Sequence, residues 1–211
     1  MNYDRPVHDI PTLEPLAIGA SKNDRYIALR RYVQQLVDGE PDWLANLANV
    51  AAAINDRVPG LNWVGFYLMR GSELVLGPFQ GRPACVRIAV GRGVCGTAAA
   101  SQVSQVVPDV TAFPGHIACD ARSRSEIVIP IVVDGRTVGV LDLDSDRLAN
   151  FDIEDRRALE TIVNDLEPRI DAAEILALGG VDDQPPAALR RRQFRIDELD
   201  HAAPLRHRCG V

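Results

Sequence analysis

Three of the four cysteines in this 211-residue chain fall within one glycine-rich stretch. Cys85 and Cys95 bracket Cys85-Val-Arg-Ile-Ala-Val-Gly-Arg-Gly-Val-Cys95-Gly96, and Cys119 closes Phe113-Pro-Gly-His-Ile-Ala-Cys119-Asp120. All three read as lying in loops or at strand ends, whereas inert structural cysteines sit inside apolar periodicity. No two form a CxxC pair, and their spacing with His116 matches no common zinc-ligand pattern. Thiol–disulfide chemistry is the reading that uses them, with one thiol attacking and another resolving. Cys209 lies far outside this stretch and is read as incidental.

The rest of the composition narrows the setting. A formal charge of −6 disfavours nucleic acid as a partner, because phosphate binding needs a basic face. No long uncharged apolar run is present, so no membrane partner is expected. The start, Met1-Asn-Tyr-Asp-Arg-Pro6, lacks a basic segment followed by an apolar one, which points to a cytoplasmic protein with reduced thiols. A disulfide there would be transient and catalytic. The single lysine, Lys22, among many arginines reads as genome composition, and the run Arg190–Arg192 as a solvated face.

The elements that must position the thiols follow from periodicity. Residues 1–21 read as an arm, 22–178 as the folded domain and 179–211 as a tail, with a weak helix near Ala187–Phe194. Ser21 or Asn23 can cap a helix over Asp24–Val37, and a second helix fits Asp42–Arg57. The period then changes to two, predicting strands at Leu61–Met69, Glu73–Phe79 and Cys85–Val90. Gly91–Gly96 reads as a loop leading into a short helix, Thr97–Ser101. Val103–Val107 is a strand and 108–124 a long irregular loop, a feature often tied to function. Glu126–Val133 and Arg136–Ser145 form a hairpin, followed by a helix over Ile153–Leu178 that Pro168 bends or interrupts. This order is α+β: a central, mostly antiparallel sheet of about six strands with helices packed on it. With the glycine-rich entry Gly91-Arg-Gly-Val-Cys-Gly96, it resembles the GAF fold.

The hairpin also predicts a carboxylate cluster. Asp142 and Asp144 alternate onto one face of their strand. A three-residue loop, Val133-Asp134-Gly135 with Gly135 at positive φ, would pair Val132 with Arg136 and set Glu126 opposite Asp142. A two-residue loop would set Glu126 opposite Leu143, on the wrong side, so the longer loop is expected. Three gathered carboxylates suit a ligand ammonium, and crowding raises their pKa values, so one acid, Glu126 by preference, can stay protonated. On another strand Trp63, Gly65 and Tyr67 share a face, with Gly65 expected to leave a methylthio-sized notch between two aromatic walls. A core role for Tyr67 fits the same pattern. His116 could orient a neighbouring group, but an uninvolved loop histidine is the preferred reading.

Several strings together carry a sharper resemblance. Trp63-Val-Gly-Phe-Tyr67, Leu76-Gly-Pro-Phe-Gln-Gly-Arg-Pro-Ala-Cys85, Gly93-Val-Cys-Gly96, the FPGHIACD string ending at Asp120 and Ser123-Arg-Ser-Glu-Ile-Val128 resemble the free methionine-(R)-sulfoxide reductases, single-GAF-domain enzymes. The resemblance spans roughly 22–178. It implies that Cys119 attacks the sulfoxide sulfur, that Cys85 is the main resolving cysteine and that Cys95 is an alternative resolver, although Cys95 also reads as a small hydrophobe at a helix start. It assigns Glu126, Asp142 and Asp144 to substrate binding and catalysis and Trp63 to the substrate pocket. The partners it implies are free methionine sulfoxide and a thioredoxin-like reductant, with no metal or organic cofactor. Pairing of the first and last helices across a two-fold axis would make a homodimer. Two other readings compete: a GAF sensor of a small molecule or of oxidation, and a thiol peroxidase, which would have no use for an ammonium-binding acid cluster.

Overall fold

The structure, a computed structural model, describes residues 11–12, 15, 19–117 and 119–178. The expectations for the tail, including the weak helix and Cys209, fall outside the described residues. Ser21 caps helix α1 (Lys22–Leu36) through a capping box with Asp24, and Asp42 caps α2 (Trp43–Arg57) by accepting from the Leu44 and Ala45 amides. Six strands follow: β1 (Leu61–Arg70), β2 (Glu73–Gly81), β3 (Arg87–Ala89), β4 (Gln105–Val107), β5 (Ser125–Val133) and β6 (Arg136–Ser145). Among the described residues they form one sheet in the order β3-β2-β1-β6-β5-β4, antiparallel at every pairing. Helix α3 (Gly93–Ser101) lies between β3 and β4. After β6 come α4 (Ile153–Leu166) and α5 (Ala172–Ala177). The interruption expected at Pro168 divides the C-terminal helical stretch in two, with a 3-10 turn at Glu167–Arg169 that holds the proline.

The sheet is buried on both faces, and the faces differ. One packs Val64, Phe66, Leu68, Ile127, Ile129, Leu141 and Leu143 against Leu29, Leu47, Ile54, Leu159 and Ile162 of the long helices. The other packs Trp63, Tyr67, Val128 and Val140 against Val94, Cys95 and Ala98 of α3. Lys22, the lone lysine, ties α1 to the start of α4 by ion pairs of 2.8 Å to Asp152 and 2.7 Å to Asp155.

Two local expectations are corrected. Helix α3 begins at Gly93, so Cys95 is a buried helical residue, not a loop thiol. The early start depends on Gly96, where an added Cβ would run into the Ala89 carbonyl oxygen. The hairpin loop has two residues, Asp134 and Gly135, with Val133 paired to Arg136. Both loop residues have positive φ (50° and 73°), as a type I′ turn requires. The ladder then slips by one: Val132 faces Thr137, but Ile131 faces Gly139, leaving Val138 as a bulge. Glu126 consequently lies opposite Asp144, on the same face as Asp142. The cluster forms by a different register from the one expected.

Gly135→Val places a β-branched residue at positive φ and should cost about 1–3 kcal/mol. A thermal melt should show the drop, whereas an unchanged midpoint would mean that the turn relaxes to another type.

Candidate active site

The second face of the sheet opens into a cleft under the 108–124 loop. Arg92, Cys95, His116, Cys119, Asp120, Ser123, Glu126, Asp142 and Asp144 are among its lining residues, around a cavity of about 20 Å³. That is room for a water-sized group. Asp142 and Asp144 come from β6, Glu126 from β5 and Cys95 from α3. The β1–β6 register sets Gly65 beside Asp142 and Trp63 beside Asp144.

Glu126 (6% exposed) and Asp142 (5% exposed) are buried, and Asp144 is partly so. Burial, then the neighbouring charges of Asp142 and Asp144, push the Glu126 carboxyl well above the ordinary range. Burial raises Asp142 to about 7. It also raises Asp144, with repulsion from Asp142 adding to the shift. Glu126 lies within hydrogen-bonding reach of Asp142, so a protonated Glu126 can donate to it. Cys95 Sγ is 3.8 Å from Glu126 Oε1, and His116 Nδ1 is 3.8 Å from Glu126 Oε2.

Cys119 is half-buried and hydrogen-bonds both the thiol and the main chain of Cys85. Burial pushes its thiol up, so the resting side chain is protonated. All three cysteines among the described residues are in the thiol form. The loop after Cys119 is pinned at several points. Asp120 accepts from the Arg122 amide (2.9 Å) and pairs with its guanidinium (2.6 Å), while Asn62 of β1 donates to Ser123 Oγ at 3.1 Å. The hydrogen bonds from Arg122 hold the Asp120 carboxyl down at about 2.

Asp142 yields a stability prediction. Its pKa is raised from 3.8 to about 7, so the fold holds the proton more tightly than the unfolded chain does. This residue's contribution is fully present below the unfolded pKa and is lost as pH rises through the folded one. Asp142→Asn removes that loss. Its melting temperature should match wild type near pH 4 and exceed it at pH 8, by about 2–4 °C for each kcal/mol relieved. An offset independent of pH would mean an ordinary pKa at Asp142.

The GAF domain family model matches residues 44–171. Free methionine-R-sulfoxide reductase of Escherichia coli is 51% identical over 147 residues, covering 70% of this chain and 89% of that protein. The enzyme of the same name from Saccharomyces cerevisiae is 47% identical over 135 residues, covering 60% and 75%. The crystal structure of free methionine-R-sulfoxide reductase from Neisseria meningitidis in complex with its substrate superposes with a TM-score of 0.73. It is 47% identical and covers 77% of this chain and 97% of that one. The chain belongs to the GAF-domain free methionine-R-sulfoxide reductases.

Of the residues this reductase's sequence singled out, the cleft gathers Cys95, Cys119, Glu126, Asp142 and Asp144. Cys85, Trp63 and Tyr67 are not among its lining residues and pack in the hydrophobic cluster on the same face of the sheet. The Tyr67 hydroxyl donates to the Cys85 carbonyl at 3.0 Å, and the Trp63 indole N–H donates to the Arg82 carbonyl at 3.1 Å. The expected notch at Gly65 is closed. Trp63 and Tyr67 ring centroids are 5.9 Å apart, and a Cβ on Gly65 would meet Trp63 Cη2 at 2.6 Å. The sequence alone suggests no role for Asn62, Arg92, Asp120 or Ser123, and for His116 it favours an uninvolved loop histidine over one that orients a neighbour. Ser123 stands three residues before Glu126 in the Ser123–Val128 string, which is the sole signal that could have marked it; His116 needed the loop's path.

Proposed function

We propose that this reductase converts free L-methionine-(R)-S-oxide to L-methionine through Cys119, recycled by a thioredoxin-like dithiol protein. The observation that carries the reading is the convergence of the Cys119 loop and the Glu126, Asp142 and Asp144 carboxylates on one cleft. A sulfoxide sulfur becomes electrophilic as its oxygen gains a proton, and Glu126, held protonated by burial, is the acid at hand. Cys119 sulfur attacks and loses its proton, the oxygen passes to it, and methionine leaves with its thioether lone pair restored. Cys119 is left as a sulfenic acid. The Cys85 thiol displaces water from that sulfenic acid to form a disulfide, which the external dithiol reduces to two thiols. Contact between Cys119 and Cys85 supports Cys85 as resolver, while Cys95 is buried against Glu126. Asp142 and Asp144 receive the substrate ammonium, and Arg92 at the rim suits its carboxylate. Pairing of two copies through α1 and α4 belongs to the same reading, since Ile27 and Ile153 are exposed there.

The test is turnover of each epimer of free methionine sulfoxide with a protein dithiol; reduction of the S epimer alone, or of neither, defeats the proposal. Cys85→Ser should release one methionine per chain and then stall with the protein reductant. Normal cycling in Cys85→Ser, with stalling in Cys95→Ser, would reverse the two resolving roles.

A further inference from the structure

Cys95, Glu126 and Asp142 meet in a way that amino-acid binding does not require. The Cys95 sulfur and one oxygen from each carboxylate all lie within 4.8 Å of one another, and all three side chains are buried. Asp142 Oδ1 is enclosed without a hydrogen-bond partner, in a residue only 5% exposed, although Cys95 and Glu126 lie within hydrogen-bonding reach of the same carboxylate. His116 Nδ1, 3.8 Å from the far oxygen of Glu126, also lacks one. An enclosed acceptor with no donor costs free energy unless something positive faces it.

We propose that this cluster is a binding site for a thiophilic divalent ion of the zinc type, held by Cys95 Sγ, Glu126 and Asp142, with His116 or water as the fourth ligand. Magnesium and calcium are poor candidates, since they favour six or more oxygen ligands over sulfur. Tetrahedral zinc, with bonds of about 2.3 Å to sulfur and about 2.0 Å to oxygen, sets a ligand sulfur and oxygen about 3.5 Å apart. Cys95 Sγ and Glu126 Oε1 stand at 3.8 Å, so a small side-chain adjustment completes that pair. The thiol and any carboxylic proton leave to solvent as the ion binds, and no electron moves. No sequence motif announces the site because its ligands come from α3, β5 and β6, far apart in the chain. The ion would occupy the place assigned above to the substrate ammonium, so it should compete with free amino acid; that consequence alone rests on the proposed function.

The experiment titrates Co(II), then Zn(II), into the reduced full chain carrying Cys209→Ser, reading thiolate-to-cobalt absorption and calorimetric stoichiometry. One ion per chain is expected, with absorption that zinc displaces. Cys95→Ser should abolish the absorption, whereas Cys85→Ser and Cys119→Ser should keep it. Asp142→Asn retains every thiol and should weaken Co(II) binding about tenfold or more, which guards against a Cys95→Ser chain that fails to fold. Unchanged absorption in Cys95→Ser, its loss in Cys85→Ser or Cys119→Ser, or unchanged affinity in Asp142→Asn would each overturn the proposal. Free methionine should raise the apparent dissociation constant for Co(II) and N-acetylmethionine should not. Binding that depends on Cys95 but ignores methionine upholds the ion site and counts against the ammonium reading instead.

Discussion

Cys119→Ser should show no measurable sulfoxide reduction while melting at the wild-type temperature. Removing an active-site nucleophile elsewhere costs on the order of 10⁶-fold, and a serine hydroxyl is a far weaker nucleophile toward sulfur than a thiol. The fold should tolerate the change because Cys119 is half-buried in the long loop and belongs to neither hydrophobic cluster. Cys95, packed among Val94 and Ala98, has no such freedom. Because burial raises the Cys119 pKa, the thiol should resist alkylation at pH 7 in free enzyme, and its reactivity should rise when substrate brings its own positive charge into the cleft. Single-turnover methionine release measures the first effect. Retained release in Cys119→Ser would move the attacking role to Cys85 or Cys95.

N-acetylmethionine sulfoxide should be reduced roughly 10²–10⁴-fold less efficiently than the free amino acid in kcat/KM. Acetylation removes the ammonium, and breaking one side of a buried charge pair costs about 3–5 kcal/mol. Asp142, one of the two carboxylates that receive the ammonium, is buried deeply enough for that magnitude to apply. The comparison needs only the two substrates and one enzyme. Equal efficiency would mean that the carboxylates serve the sulfoxide oxygen alone and do not read the amino group.

Much of this architecture was legible in the chain because local rules dominate it. Ser21, Asp42 and the period-two runs of β1, β2, β5 and β6 obey capping and alternation rules that act within a few residues. The three carboxylates were readable on the same ground. What local rules miss is contact between distant segments. The start of α3 is set by Gly96 backing onto β3, and the closing of the Gly65 notch is set by Trp63 leaning across its own strand toward Phe79. His116 reaches Glu126 because a loop folds back, and nothing within a few residues of His116 encodes that path. The hairpin register failed for a related reason: turn chemistry favours Asp134-Gly135, and a bulge six residues before Asp144 then restores the face.

That bulge separates two stretches of the molecule that can vary in length independently. Between the tip of the hairpin and the pocket, the ladder absorbs one unpaired residue at Val138, while Asp142 and Asp144 are held from the other side by their pairing with β1. The phase of the acids is thus set by the neighbouring strand rather than counted out from the turn. Residues added or lost at the exposed Asp134-Gly135 tip should therefore change the outline of the protein without transmitting a frame shift to the carboxylates. This makes the tip a natural place to graft a peptide or a label.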